Sequence, residues 1–308
     1  MKTSVFGICV AMACFAAGAA MAEEGNEFFE PPRQFEWFSG TGEKLTIPAP
    51  EGFLSVKGGT VVAEFFATIA SADPNNTMLV NWVELCGDEI SGNAYVNESN
   101  ALRGKRITLA EFSQVAETLV KSDFTDEASF DKVSKRAAEN ANGYLREIGA
   151  EEADLSISGP RQLPAHRRDA ERVAFTIIMN VGSGDEAQIT ANSCCVLWLR
   201  GHLLYYYVAQ YAKSADALDK AIAESRRKLD AWCDAVVAAN RSGIGASSSP
   251  DVEATILDQE IKEERSRNAR GSERSGKWHA GRFFGRIVIC GLVGGLWGLI
   301  ISVFRRKG

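Results

Sequence analysis

Residues 188–211, QITANSCCVLWLRGHLLYYYVAQY, are the stretch from which the fold of this chain can be worked out. They form two runs of β-branched, aromatic and aliphatic residues, which is the composition of strands. Residues 200–202, RGH, lie between the runs, and so short a connection predicts a tight β-hairpin. Residues 172–181, RVAFTIIMNV, predict another strand, and residues 155–158 a shorter one. The whole segment therefore predicts a meander of three or four antiparallel strands.

Further strands and helices precede this meander, and a long helix follows it. Capping signals mark the helices: Thr60 stands before one apolar run, and Thr108 with Glu111 forms a capping box before another. Gly149 is suited to end a third helix, and Ser214 to begin the last one. The predicted strands cover residues 44–47, 53–56, 78–86 and 94–97. The predicted helices cover residues 60–70, 108–121, 129–148 and 214–240. The last of them has an apolar stripe formed by Leu218, Ile222, Leu229, Trp232 and Val236.

The strands and helices are grouped along the chain rather than alternating regularly, which is typical of an α+β fold. We expect an antiparallel sheet covered by helices, similar to an α/β/α sandwich, in a domain that covers residues 44–240. About 200 residues are enough to bury a sizeable core. One C-terminal transmembrane helix is expected in addition to this domain.

The first 22 residues have the parts of a secretory signal peptide. Lys2 provides a positive start, residues 5–19 are apolar and small, and residues 20–22, AMA, match a signal-peptidase site. We expect cleavage after Ala22, and an uncleaved anchor is the alternative. Residues 23–43 predict an extended arm, and we expect its aromatic rings to lie across the folded domain.

The C-terminal region predicts a membrane anchor. Residues 287–304, IVICGLVGGLWGLIISVF, carry no charge and are long enough to span a bilayer as a helix. Residues 241–286 predict a linker and a basic juxtamembrane segment, and residues 305–308 a short basic tail. Two overlapping GxxxG pairs favour close approach of two such helices, and therefore a homodimer through the membrane. The glycines of these pairs are Gly291, Gly294, Gly295 and Gly298.

The order of targeting segments predicts a single-pass protein of the cell inner membrane, with its N-terminal domain on the periplasmic side. The charge pattern conflicts with this orientation, because the basic residues before the anchor outnumber those after it. Positive residues normally remain on the cytoplasmic side. Without a working signal peptide, the chain would be a tail-anchored protein whose domain lies in the cytoplasm.

The net charge of −6 is unevenly distributed. From Arg270 onward the chain carries eight Lys or Arg and one Asp or Glu, so the preceding body is strongly acidic. An acidic body argues against nucleic-acid binding, whereas basic residues around the anchor suit lipid headgroups. We therefore expect the lipid bilayer and another membrane or exported protein as partners, and no nucleic acid.

Four cysteines lie outside the predicted signal peptide and anchor: Cys86, Cys194, Cys195 and Cys233. In an oxidising compartment they could form disulfides, and four cysteines allow three connectivities. Cys194 and Cys195 are adjacent in a predicted strand, so their side chains should point to opposite faces. We expect Cys86 or Cys233 to meet one of this pair. Buried free thiols are the alternative.

The sequence contains few signals for catalysis. The three histidines, His166, His202 and His279, lack metal-ligand spacing, and there is no C-x-x-C, nucleophile elbow or phosphate-binding loop. Residues 57–60, KGGT, lead into a helix and could bind an anion, but a turn before a helix has the same composition. We predict no catalytic residue, no metal and no cofactor, which favours a role other than that of an enzyme.

The run KLTIPAPEGF at residues 44–53, followed by a predicted helix and the strand MLVNWVE, resembles exported bacterial proteins that begin with a P-x-P-x-G-F phrase. The order of elements is also similar to the PsbP/DcrB/Mog1-like α/β/α sandwiches, in which a P-x-G-(F/W) turn follows the first strand. The resemblance would cover about residues 44–240. It implies a non-catalytic accessory or binding protein. It assigns no functional residue, because the matching motif is a turn.

These features together predict a membrane-anchored periplasmic accessory or binding protein. A thiol-dependent redox enzyme built around Cys194 and Cys195 is one alternative. A structural membrane protein that self-associates through the glycines of its anchor is the other.

Overall fold

The computed structural model describes residues 28–40, 42–87, 89–121, 127–148, 155–183, 188–212 and 214–241. Within these ranges the chain forms eleven strands and four α-helices. The strands are β1 (Phe29–Glu30), β2 (Phe35–Phe38), β3 (Lys44–Ile47), β4 (Leu54–Val56), β5 (Asn76–Cys86), β6 (Glu89–Ser99), β7 (Leu155–Gln162), β8 (Arg167–Arg168), β9 (Arg172–Ser183), β10 (Gln188–Leu199) and β11 (His202–Ala212). The helices are α1 (Val61–Ala70), α2 (Leu109–Lys121), α3 (Glu127–Glu147) and α4 (Leu218–Arg241).

Nine of these strands form one sheet in the order β1-β4-β5-β6-β11-β10-β9-β7, and β8 also pairs with β9. All the strand pairs within this sheet are antiparallel. β2 and β3 form a separate antiparallel pair. The α+β class and the large antiparallel sheet expected from the sequence are therefore confirmed.

The β10–β11 hairpin is the centre of the sheet, and its turn follows from local geometry. Leu199 pairs with His202, which leaves Arg200 and Gly201 as a two-residue turn. Both have positive φ, 51° and 84°, as a type I′ turn requires. The predicted hairpin is confirmed. His202 was expected in the turn, but it is instead the first, buried residue of β11.

Helices cover both faces of the sheet. α4 packs on β10 and β11, whereas α3 packs on β7 and α1, and α2 packs on β9 and β10. We call the side of the sheet that α4 covers the α4 face, and the side that α1, α2 and α3 cover the three-helix face. Tyr205 and Tyr207 belong to the core of the three-helix face, and Tyr206 to that of the α4 face. Because both sides of β11 are covered, its sequence is a continuous apolar run rather than an alternating one.

The core of the α4 face is centred on aromatic rings. Trp232 of α4 meets Trp82 of β5 and Tyr206 of β11 edge to face, with ring centroids 5.4 and 5.1 Å apart. Its indole N–H donates to the carbonyl of Pro48 at 2.7 Å. Leu229 and Trp232, which the sequence placed on the apolar stripe of this helix, are both buried.

The N-terminal arm contributes to this fold. Phe29 and Glu30 pair with β4 as the edge strand β1, and Trp37 of β2 is buried in the core of the α4 face. The indole N–H of Trp82 also donates to the carbonyl of Arg33 at 3.3 Å. Phe29 and Glu30 therefore extend the edge of the sheet, whereas residues 35–38 pair with β3 in the separate two-stranded sheet.

The helix caps follow the sequence signals with one exception. The Thr60 side chain accepts a hydrogen bond from the N–H of Ala63, so KGGT serves as the cap of α1. Thr108 and Glu111 bond reciprocally, as a capping box requires. Ser214 makes no side-chain cap bond, because a short 3₁₀ turn at Ala215–Ala217 separates it from α4. The prediction that Ser214 caps this helix is wrong.

No helix in the ranges given above is long and apolar enough to cross a membrane. The predicted signal peptide at residues 1–22, the anchor at 287–304 with its four glycines, and the tail at 305–308 lie outside the described residues. Almost all of the predicted linker, His279 and Gly149 lie outside them too.

Candidate functional site

The four candidate cysteines occupy three different places. Cys194 and Cys195 follow one another in β10, and they belong to the cores of the three-helix face and the α4 face respectively. Cys233 lies in the core of the α4 face, and Cys86 is exposed at the end of β5. All four are free thiols in this structure. Which disulfide forms stays a prediction.

Cys195 and Cys233 are brought together between β10 and α4. Their side chains are in hydrogen-bond contact, and they are only 1% and 0% exposed. Burial raises the pKa of the Cys233 thiol well above its usual value, and the neighbouring Cys195 raises it further. Burial likewise raises the pKa of Cys194 on the other face. Because a thiolate is the nucleophilic form, the thiols of Cys194 and Cys233 are poor nucleophiles in the folded protein.

A network of charges lies beside this thiol pair, where the β8–β9 region meets α4. Arg167 approaches Asp230 at 3.6 Å and Asp234 at 3.3 Å. Arg172 approaches Asp169 and Asp234 at 2.6 Å each. Burial alone would raise the pKa of Asp234, but its contacts with Arg172 lower it below the usual value. The network links a connection near the edge of the sheet to the C-terminal half of α4.

His166 sits at the inner side of this network. Its side chain is 10% exposed, and its Nε2 lies 3.8 Å from a carboxylate oxygen of Asp230. Burial lowers the pKa of His166, Asp230 opposes the shift, and Arg226 and Arg167 add to it. The imidazole is therefore neutral near pH 7. A distance of 3.8 Å is too long for a hydrogen bond, so the pair is a loose contact rather than a formed catalytic dyad.

Buried hydroxyl groups fasten α4 to the sheet. Arg226 Nε donates to Thr176 Oγ1 at 2.9 Å, and Thr176 and Ser193 share a hydrogen bond of 2.9 Å. Ser193 and Ser225 share another of 2.8 Å, and Ser225 donates to the carbonyl of Ile222. The three hydroxyl-bearing residues are 0% exposed. They bond to one another beneath the helix, which is a structural role.

His202 belongs to a second polar group, at the turn end of the sheet. Its Nε2 lies 3.1 Å from Glu43 Oε2, and Arg106 bonds to the same oxygen at 2.6 Å. Burial alone would raise the pKa of Glu43, but the bonds with His202 and Arg106 lower it. Trp37 packs against the imidazole edge to face. His166 and His202 are thus in separate clusters, and in the described part of the chain neither belongs to a set of metal ligands.

Asparagines line the buried three-helix face, and the sequence analysis missed them. Asn81 of β5 and Asn93 and Asn97 of β6 are 9%, 0% and 4% exposed. Tyr211 donates to Asn93 Oδ1 at 2.9 Å, but within the described residues both amide atoms of Asn81, Asn93 Nδ2 and Asn97 Oδ1 have no partner. The signal that could have found Asn93 and Asn97 is their spacing of four in one strand, which places both on one face.

Among the described residues, no group of three or more His, Cys, Asp or Glu side chains could hold a metal ion. Lys57-Gly58-Gly59-Thr60, which was considered for an anion, is used instead within the turn. Thr60 Oγ1 donates to the carbonyl of Lys57 at 2.7 Å, and Gly59 supplies the positive φ of 75° that the turn needs.

Comparisons with known proteins give a similarity of fold and nothing finer. No protein-family model matches the chain, and no curated protein matches it. Among solved structures, the chain is similar to the solution structure of cyanobacterial PsbP (CyanoP) from Synechocystis sp. PCC 6803. The identity is 15% over 67% of this chain and 90% of that chain, with a TM-score of 0.24. The expected resemblance to PsbP-like proteins is supported only as this weak likeness.

Proposed function

We propose that the protein is a membrane-tethered accessory or binding module on the periplasmic side of the cell inner membrane. The observation that carries this proposal is the position of the folded part between the predicted targeting segments. β1 begins at Phe29, a few residues after the expected cleavage at Ala22, and α4 ends at Arg241, where the predicted linker begins. The described fold therefore lies between the two predicted hydrophobic segments, which is the arrangement expected of an exported and anchored domain.

Three candidate nucleophiles of the described residues, Cys194, Cys233 and Ser193, are buried, which favours a binding role over a catalytic one. Cys194 and Cys233 are enclosed, and burial raises the pKa of both. Ser193 is 0% exposed and bonded to other hydroxyls. A thiol or serine nucleophile has to reach a substrate and be activated by a base, and none of these three residues is placed to do so. Recognition through the surface needs no such group.

The distribution of charge supports a protein partner beside the bilayer. The body of the chain is acidic, whereas the segment around the anchor is basic, so only the latter is attracted to anionic headgroups. The domain then stands at the end of the linker, within reach of other exported or membrane proteins. Exposed large apolar side chains offer contact points, of which Phe38 at 62% and Val61 at 45% are the most exposed.

Photo-crosslinking in intact cells tests this proposal. A photoreactive amino acid is placed at Phe38 or Val61 of the full-length chain, and at buried Leu229 as the matched control. The proposal predicts a discrete adduct with an exported or membrane protein at an exposed position and none at Leu229. Adducts only with cytoplasmic proteins, only with a second copy, or none at either exposed position would contradict it.

A further inference from the structure

Cys195 and Cys233 are held against each other by two elements that are far apart in sequence. Cys195 lies in the centre of β10, where it pairs with Tyr206 of β11 and Ala174 of β9. Cys233 lies on α4, one residue after Trp232, and both cysteines belong to the core of the α4 face. Their sulfur atoms are in hydrogen-bond contact. No other pair among the four cysteines of the described residues shares a core in this way.

The other two cysteines are excluded from this contact by their positions. Cys194 follows the strand alternation to the opposite face, where its thiol bonds with Tyr207. A link between Cys194 and Cys195 would have to join the two faces of one strand, which the strand geometry prevents. Cys86 is exposed at the end of β5, and β6 and β11 lie between that strand and β10 in the sheet.

We propose that Cys195 and Cys233 form a disulfide bond in the mature protein, and that this bond is the modification that fastens α4 to the sheet. The inference rests on the export of the domain, which is part of the proposed function. Two S–H bonds break and one S–S bond forms, so the two thiols lose two protons and two electrons. A protein disulfide of the thiol-oxidising machinery of the compartment accepts them by exchange and is reduced to a dithiol.

Burial sets the time at which this bond forms. In the folded protein neither thiol is reachable, since the exposures are 1% and 0%. Exchange therefore takes place before α4 docks, when both thiols are accessible and the contact is being made. The closed loop of roughly 40 residues is long enough for the bond to restrict the unfolded chain considerably. Once α4 has docked, the same burial protects the bond from reductants.

The disulfide would also have a mechanical consequence. α4 is the last described element, and the chain continues from Arg241 into the predicted linker and anchor. Any pull from the membrane reaches the domain through this helix. Cys233 lies about two turns before the end of α4. A covalent bond from this position to β10, in the middle of the sheet, would prevent α4 from separating from the sheet under such a force.

Peptide mapping of the full-length chain tests the proposal. The chain is extracted from membranes with immediate acid quenching and alkylation, and then cleaved with trypsin without reduction. Trypsin separates residues 173–200 from residues 229–241, so the bond joins two otherwise distinct peptides. We expect this linked pair in the wild type and in Cys194→Ser, and its loss in Cys195→Ala and Cys233→Ala. Full alkylation of both thiols, or a link that needs Cys194 or Cys86, would overturn the proposal.

A second measurement separates this proposal from the assumption of export. The full-length chain is unfolded and reduced, then refolded in detergent with oxidised and reduced glutathione. If the contact is correct, the Cys195–Cys233 link forms in this mixture wherever the protein resides in the cell. Its absence would refute the disulfide even for an exported domain. Formation here, together with free thiols and an intact residue 1 in cells, would refute export instead.

The oxidised chain should also be more resistant to heat than the reduced one. For a loop of this size in a domain of this length, reduction is expected to lower Tm by about 10 °C. Cys194→Ser should show the same difference, whereas Cys233→Ala should show none. Equal Tm values for oxidised and reduced wild type would contradict the fastening role.

Discussion

The α4 face and the three-helix face bury the two sides of one sheet, but their buried polar side chains make different contacts. On the α4 face, Asn240 exchanges two hydrogen bonds of 2.9 and 2.7 Å with Thr46 of the separate β2–β3 pair, and Trp232 bonds to the carbonyl of Pro48. On the three-helix face, Asn142 makes a comparable pair of bonds with the backbone of Leu155, but the buried amides of Asn81 and Asn97 include atoms without a partner in the described residues.

This difference indicates where stability and specificity are concentrated. Long-range hydrogen bonds from side chain to backbone allow α4 one position, because any shift leaves buried polar groups unpaired. A buried amide without hydrogen-bond partners lowers the stability of the folded state, and it does not favour one position of the covering helices over another. We therefore expect changes at the bonded side chains of α4 to be damaging, and changes at Asn81 and Asn97, whose amides include unpartnered atoms in the described residues, to be tolerated or favourable.

The largest effect is expected for Trp232→Ala. The change removes a buried ring that touches Trp82 and Tyr206, and it leaves a cavity at the centre of the α4 face. The free energy of unfolding should fall by about 4 kcal/mol, measured by urea unfolding of the full chain in detergent. Trp232→Phe, which keeps a ring, should lose clearly less. A loss below about 1 kcal/mol would show that α4 is not packed as described.

A smaller loss is expected for Asn240→Ala, because the N–H and C=O of Thr46 both lose their side-chain partner. We expect a decrease of about 2 kcal/mol in the free energy of unfolding. Asn140→Ala is the matched control on the opposite side, since this amide bonds at 3.3 and 3.2 Å to Thr68 and Ser71 near the surface. If the two variants lost the same free energy of unfolding, the proposed difference in stability between the two faces would be contradicted.

An effect of opposite sign is expected for Asn81→Leu. Leucine has the same number of side-chain heavy atoms, branched in the same way, and no polar atoms, so it removes two buried amide atoms that lack partners in the described residues. The free energy of unfolding should rise by about 1 kcal/mol. Asn142→Leu serves as the control, because Asn142 bonds to both backbone groups of Leu155 and should be destabilised by the change. A clear loss for Asn81→Leu would mean that its amide has a partner in solution.

The smallest effect is the pH dependence from His166. Its pKa is lowered in the folded protein, where Asp230, Arg226 and Arg167 face the ring. Below the unfolded pKa of about 6.5, the unfolded chain binds a proton that the folded chain does not. Stability from this group is therefore present above about pH 6.5 and lost as the pH falls. His166→Gln should flatten the stability curve between pH 7 and 5 by less than about 1 kcal/mol. If the dependence of the free energy of unfolding on pH were the same in His166→Gln as in the wild type, the lowered pKa of His166 would be excluded.

Much of the fold could be predicted from local signals. The β10–β11 hairpin, the caps at Thr60 and Thr108, and the stripe of α4 each depend on residues close together in sequence. The opposite directions of Cys194 and Cys195 follow from strand alternation alone. Such features need no knowledge of the tertiary structure.

The remaining features depend on contacts that no local pattern specifies. The pairing of β1 with β4 is hidden in an arm whose prolines and aromatic rings suggest an unpaired segment. Arg167 and Arg172 meet Asp230 and Asp234 only because β8 and β9 lie beside α4. The contact of Cys195 with Cys233 is decided by the register of that helix on the sheet. The asparagines were missed because a polar residue in a strand is expected to face solvent.

The central claim is that the folded part at residues 28–241 lies outside the cytoplasm and is held there by residues 287–304. Protease added to intact spheroplasts tests it, with the mature N-terminus sequenced and an epitope tag after residue 308. We expect a chain that begins at Glu23, digestion of the domain from outside, and a protected tagged fragment that contains residues 287–304. A chain that retains Met1 and whose domain is digested only after the membrane is permeabilised would contradict the account.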